Sequence, residues 1–203
     1  MDTTFIDELA SAASTPGGGG AAAYAGALAS ALASMVGNLT VGKSRYADVE
    51  DEVRASLSRL EMLRARLVAL VDEDARAFEP LAAAYRLPKA TPEEQVAKNA
   101  ALQRALVDAS EVPLAIMRAA AEVLDEADYL ARHGSKMARS DAGVAAAFVR
   151  AASDGASLNV YINAASMDDV DRAARYRAEA ELLAVRTRER CDVLFDYVKA
   201  AVS

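Results

Sequence analysis

The sequence predicts an all-α fold, an orthogonal bundle of long helices in a single domain over residues 1–203. Three observations carry that prediction. Of the residues 53% are hydrophobic, yet aromatics make up only 5% and Trp is absent, so the apolar content is mostly Ala, Leu and Val, as in closely packed helices. Leu60, Leu63, Leu67, Val71, Phe78 and Leu81 recur at steps of three and four, the period of one helical face. Nowhere do polar and apolar residues alternate as they do along a half-buried strand.

The elements follow in order. Residues 3–13 read as a short helix stopped by "STPGGGG" at 14–20. "AAAYAGALASALASMVGNLTV" then reads as one long, small-faced helix over about 21–41, and a second long helix covers 48–86, with Pro80 expected to bend or divide it. "LPKATPEEQ" is a loop that ends in a helix start, with Thr91 as N-cap, Pro92 at the first helical position and Glu94 closing a capping box. Helices are expected at 92–109 and from Pro113 to His133, where Gly134 supplies the C-cap. Ser140 or Asp141 caps another that runs to about 165, and a last helix covers about 168–202.

Charge and composition exclude several functions. A net charge of −7 argues against a general nucleic-acid binder, which needs a basic face. Cys191 is the single cysteine, so there is neither an intrachain disulfide nor a thiolate metal cluster, and a reducing cytoplasm suits the chain. Asp2, Asp7 and Glu8 precede the first apolar run without a basic segment, unlike a signal peptide. Residues 9–42 carry no charge and are long enough to span a bilayer, but their Ala, Gly and Ser content, with Asn38, points to a buried, closely packed helix. One His and no HExxH or E-x-x-H pair leave no metal site to expect, and His133 is assigned no catalytic role.

Two glycine-containing motifs offer phosphate chemistry and fail on context. "GNLTVGKS" at 37–44 fits G-x-x-x-x-G-K-[ST], but no strand precedes it and no acidic metal ligand follows on a second strand. "PGGGGAAAYAG" contains G-x-G-x-x-A after a short helix rather than a strand. Its glycines are either a plain hinge or a turn that brings backbone amides against a ligand at a helix start.

"LVDEDARAF" is the more informative stretch. Asp72 and Asp74 lie about 200° apart on a helix, so they occupy different faces. Asp72 joins the polar side, whereas Asp74 falls on the apolar stripe between Val71 and Phe78. A carboxylate there is costly to bury unless paired, protonated or facing a cavity. It is either a proton shuttle with a raised pKa or a structural partner of an Arg such as Arg104 or Arg118. Asn159 and Asn163 form a polar pair one turn apart on an otherwise apolar helix, and buried amides need partners.

Taken together, "STPGGGGAAA", "ALASMVGNLTVGKSRY", "LVDEDARAF", "LPKATPEE", "VPLAI", "RSDAGVAA" and "GASLNVYIN" resemble the cyclodeaminase domain of formiminotransferase-cyclodeaminases and their stand-alone bacterial relatives, which include methenyltetrahydrofolate cyclohydrolases. The resemblance implies a helical homodimer or dimer-based oligomer with folate sites between subunits, and no metal, nucleotide or cofactor beyond the tetrahydrofolate substrate. It implies closure of 5-formimidoyl-tetrahydrofolate to the 5,10-methenyl form with loss of ammonia, or hydrolysis of the methenyl form to 10-formyl-tetrahydrofolate; a silent helical scaffold is the alternative of another class. By the same resemblance Asp74 moves protons, with Asp72 a weaker candidate, and Lys43, Lys89, Ser140, Asp141 and Asn159 contact the substrate, beside Gly17, Gly18 and Gly19. Gly20 and Ser135 stand where relatives commonly have Ser and Asn.

Overall fold

The computed structural model describes residues 2–203, and among them there is no strand. Six α-helices follow in order: α1 Thr4–Leu9, α2 Gly18–Asn38, α3 Glu50–Arg86, α4 Pro92–His133, α5 Arg139–Ala165 and α6 Val170–Val202. Short 3-10 turns, Ser44–Val49 and Lys136–Ala138, lead into α3 and α5. α2 packs against α3, α4 and α5, while α6 lies on α5 and α4.

Small side chains put α2 in the middle. Ala23, Ala29 and Ala33 are fully buried, facing a core that includes Leu60, Leu67, Leu114 and Val149. A Cβ on Gly26 would stand 2.9 Å from Leu67 of α3 and 3.6 Å from Ala152 of α5, and one on Gly155 would meet Ala22 at 3.5 Å. Residue 22 therefore faces 155 and 26 faces 152, so α2 and α5 run antiparallel. The absence of charge makes α2 long and apolar enough to cross a membrane, and the same property fits it to the bundle interior, where most of it is buried. A smaller cluster of Leu81, Ala105, Leu106 and Ala109 packs α3 on α4 beyond its end.

The capping box of Thr91 and Glu94 forms as expected, with Thr91 Oγ1 accepting from the Glu94 amide and the Glu94 carboxylate from Thr91 N–H. Other boundaries differ from the sequence expectation. α1 is only Thr4–Leu9, and α2 begins inside the glycine run and ends at Asn38. Neither Pro80 nor Pro113 ends a helix: α3 runs through the first, and α4 is a single helix where two were expected. Pro113 lacks the N–H that would bond Ala109 O, and Asn163 Nδ2 of α5 supplies that bond at 2.8 Å.

Ser140 and Asp141 do not cap α5. The 3-10 turn runs straight into the helix, which leaves both in its first turn behind Ala138, and no side chain caps the start. Gly134 does follow α4, but in an extended rather than left-handed conformation, φ −86° and ψ −164°. Close approach is what demands glycine there, since a Cβ would stand 2.6 Å from Leu130 O and 3.0 Å from Thr40 Oγ1.

Thr40 locks that junction. Its buried hydroxyl donates to Val36 O at 2.7 Å and accepts the Ser135 N–H at 2.8 Å, tying the end of α2 to the turn between α4 and α5. Thr40→Val keeps the shape and orphans the buried Ser135 amide, so urea denaturation is expected to show a loss of about 1–3 kcal/mol, with Thr40→Ser close to the parent. Equal stability of all three would refute the locking role.

Candidate functional site

A cavity of about 330 Å³ opens where the first turn of α2 meets the C-terminal half of α3, the middle of α4 and the last turns of α5. From α3 it takes Asp74, Phe78, Leu81 and Tyr85, successive members of one stripe at steps of four, three and four. From α5 it takes Asn159, Ile162 and Asn163, and Gly17, Gly18 and Gly19 form a third wall. Among the described residues that line it, Asp74 alone is charged.

Asp74 is half-buried, and its Oδ2 accepts the Gly20 N–H at 2.9 Å. That approach depends on Gly19, where a Cβ would stand 2.1 Å from Asp74 Oδ1 and 2.6 Å from Oδ2. The glycine run is therefore neither a hinge nor a loop but the first turn of α2, with Gly17 extended at the N-cap position. Gly18 and Gly19 donate no hydrogen bond among the described residues, so two helix-start amides stand beside the carboxylate.

Two effects act on the Asp74 proton in opposite senses. Burial disfavours the charge, while the Gly20 amide favours it; burial prevails, and the carboxyl titrates above its usual range. No arginine neutralises it among the described residues. Arg118 pairs with Glu179 at 2.8 Å, and Arg104 lines a separate surface groove with Asp108. The structural-partner reading of Asp74 thus loses both named partners. Asp72 is exposed on the opposite side of α3, as its spacing requires.

The other sequence-predicted residues divide between the two ends of the bundle. Lys43 is exposed in the turn after α2, which places it about 30 Å from Gly18 by the length of that helix. Gly42 before it has φ +75°, a left-handed conformation suited to glycine, and no strand precedes the segment, so its phosphate-loop pattern has no structural counterpart. Ser140 and Asp141 stand at the same end as Lys43, about 27 Å along α5 from Asn159. The Lys136 amide, which donates to Tyr46 OH at 3.1 Å, links the two turns there. Lys89 is exposed in the loop after α3, four residues beyond Tyr85, and does not line the cavity. Within one chain, Asp74, Lys43 and Lys89 do not converge.

Among the contributors that sequence reasoning missed are Tyr85 and Ala109. Tyr85 continues the Asp74 stripe at helical spacing and was legible from it. Ala109 was not, because its relevance depends on the carbonyl that Pro113 leaves free.

The formiminotransferase-cyclodeaminase family model matches residues 2–182. The chain belongs to that family. Across its length it is similar to a methenyltetrahydrofolate cyclohydrolase of Methylorubrum extorquens, 44% identical with 98% of this chain and 96% of that protein covered. A formimidoyltransferase-cyclodeaminase of Sus scrofa is 36% identical over 97% of this chain, which spans only 36% of that longer protein. The family fold is seen in the crystal structure of formiminotetrahydrofolate cyclodeaminase from Thermotoga maritima, at 30% identity and TM-score 0.81, covering 99% of this chain and 95% of that one. Gly20 and Ser135 both act through their backbone amides, which donate to Asp74 and Thr40 respectively.

The raised Asp74 pKa has a signed consequence. The folded carboxyl binds its proton more tightly than the unfolded one, so its stabilising contribution is complete below the unfolded value near 3.8 and is lost as pH rises through the folded value. Asp74→Asn, whose amide oxygen still accepts from Gly20, is therefore expected to be more stable than the parent at pH 7. The gap should narrow as urea titrations are repeated towards pH 4. A variant less stable at pH 7 would contradict the assignment.

Proposed function

We propose that this protein is a folate one-carbon enzyme in which Asp74 moves the proton at the methenyl bridge of tetrahydrofolate. Two reactions are available to that arrangement. In hydrolysis, Asp74 takes a proton from water as its oxygen adds to the bridge carbon of 5,10-methenyl-tetrahydrofolate. It then returns the proton to nitrogen 5 as the carbon–nitrogen bond there breaks, and the added hydroxyl releases its remaining proton to solvent, leaving 10-formyl-tetrahydrofolate and one proton in place of the methenyl cation and water. In cyclodeamination, nitrogen 10 attacks the carbon of 5-formimidoyl-tetrahydrofolate, and proton transfer lets ammonia leave. Both pass through a tetrahedral carbon, and both need a group that gains and loses a proton easily.

The observation that carries the proposal is Asp74 itself: half-buried, unneutralised by arginine, and fixed on the Gly20 amide beside two undirected N–H groups in a cavity. A pKa above the usual carboxylate range brings its two states closer in free energy at neutral pH, and preset amide dipoles favour negative charge developing nearby. The full-length similarity to a cyclohydrolase favours hydrolysis; the similarity to a solved cyclodeaminase supports the other reaction. The proposal invokes no metal and no cofactor beyond the folate, and takes residues 1–203 as one domain working in the cytoplasm.

A second copy completes the site in this proposal. Tyr24, Leu28, Met35 and Leu39 form an exposed apolar stripe on α2, and Val144, Leu158 and Ile162 extend it on the antiparallel α5. Ile162 belongs both to the stripe and to the cavity wall, so the cavity opens beside it. A two-fold axis crossing α2 at a right angle sets the Lys43, Ser140 and Asp141 end of one subunit beside the Asp74 cavity of its partner. Lys43 and Lys89 then supply positive charge for an anionic folate.

The first test follows methenyl absorbance from either starting compound. Asp74→Asn is expected to lower turnover about 10²–10⁴-fold on whichever substrate is used. Gly19→Ala, which displaces the Asp74 carboxylate, should lower it in the same direction. Full turnover by Asp74→Asn, or no activity of the parent on either compound, would overturn the proposal. For the dimer, light scattering should give the mass of two chains for the parent and of one for Leu28→Glu combined with Met35→Glu, with helicity retained. A monomeric parent would exclude the shared site.

A further inference from the structure

The orientation of the two asparagines on the cavity wall is set by what they bond. Asn163 Nδ2 donates to Ala109 O at 2.8 Å, and Asn159 Nδ2 to Gly155 O at 3.3 Å. Each partner is a carbonyl oxygen, which only accepts, so in each amide the NH₂ must face the helix and the oxygen must point the other way. Among the described residues no protein group donates to either amide oxygen, and neither oxygen is a sealed, unpartnered atom. Both residues line the cavity one helical turn apart. With Asp74 opposite them, that end of the cavity offers hydrogen-bond acceptors.

The Asn163 anchor exists because of a residue on another helix. A helix interior normally uses every carbonyl, and Ala109 O would accept from the amide of residue 113. That residue is Pro113, buried and without an N–H, so the carbonyl remains available to α5. One proline thus both opens the acceptor on α4 and fixes the rotamer of the amide that meets it.

We infer that Asn163, seated by Pro113 and seconded by Asn159, is the specificity-determining contact for the donor edge of the ligand. On the folate reading above, on which this rests, that edge is the 2-amino-pyrimidinone side of the pterin, with its exocyclic NH₂ and ring N–H. A site that presents acceptors to such an edge discriminates strongly against an analogue lacking the donors, because its own polar groups are then left unpaired.

The probes are a 2-amino-5,8-dideazafolate and its 2-desamino-2-methyl counterpart, titrated calorimetrically into the protein. The parent should bind the amino compound about ten- to a hundredfold more tightly, and Asn163→Ala should bring the two affinities within about threefold by weakening only the amino compound. Pro113→Ala returns an amide to Ala109 O in a helix-favouring residue, so it folds; it should weaken the same preference and raise KM with little change in kcat. Undiminished preference in both Asn163→Ala and Pro113→Ala, or no preference in the parent, overturns the assignment to Asn163 while leaving the folate reading in place. Failure of the parent to bind either compound overturns both.

Discussion

The Asp74 carboxylate rests directly on the backbone at the start of α2, and much else in the molecule is arranged to allow it. The contact needs a residue without a side chain at position 19, a free amide at position 20, and α2 beginning inside the glycine run rather than after it. It also needs α3 and α2 close enough for a short side chain to bridge them. Leu67 against Gly26 and Leu57 against Gly37 provide that proximity along the rest of the pair. Of the four consecutive glycines, Gly19 is thereby explained by the carboxylate that approaches it, whereas a Cβ on Gly18 would meet nothing within 4 Å.

The same contact sets the chemistry. An unopposed buried carboxylate would simply be neutral, and one on a fully accessible helix start would simply be charged. Asp74 is subject to both influences, with burial the stronger. Nearby, Pro113 and Asn163 repeat the theme in uncharged form: a backbone group released by one element is taken up by a side chain of another. The cavity is bounded by backbone groups exposed in this way as much as by side chains.

The bundle also separates its candidate residues. α2 and α5 are antiparallel and span the molecule, so residues near the start of one lie close to residues near the end of the other. Asp74, the glycines and Asn159 gather at one end, while Lys43, Ser140 and Asp141 gather at the opposite end, beside the junction that Thr40 locks. Between the two ends α2 carries no charge and exposes Tyr24, Leu28, Met35 and Leu39. Spacing in the sequence cannot reveal such a division, because it depends on the direction in which each helix is packed.

Local rules were enough for much of this protein. Its helical class followed from Ala-rich composition and three–four periodicity, the start of α4 from Thr91, Pro92 and Glu94, and the unusual position of Asp74 from its place on an apolar stripe. These depend on neighbours within a turn or two, where propensity and period act. Where local rules failed, a distant group had intervened. Pro113 was expected to open a second helix after a break at 109, but α4 runs on through it, and Asn163, fifty residues away, meets the carbonyl it frees. Ser140 was expected to cap α5, but the turn held by Thr40 and Tyr46 delivers the chain already wound. The glycines allowed either a hinge or a ligand-facing turn, and only the approach of Asp74 from α3 decided that they are the helix itself. Sequence determined which residues are helical and which one is chemically out of place; tertiary packing decided which backbone groups that residue meets, because hydrogen-bond partners and burial are properties of elements brought together and not of the chain alone.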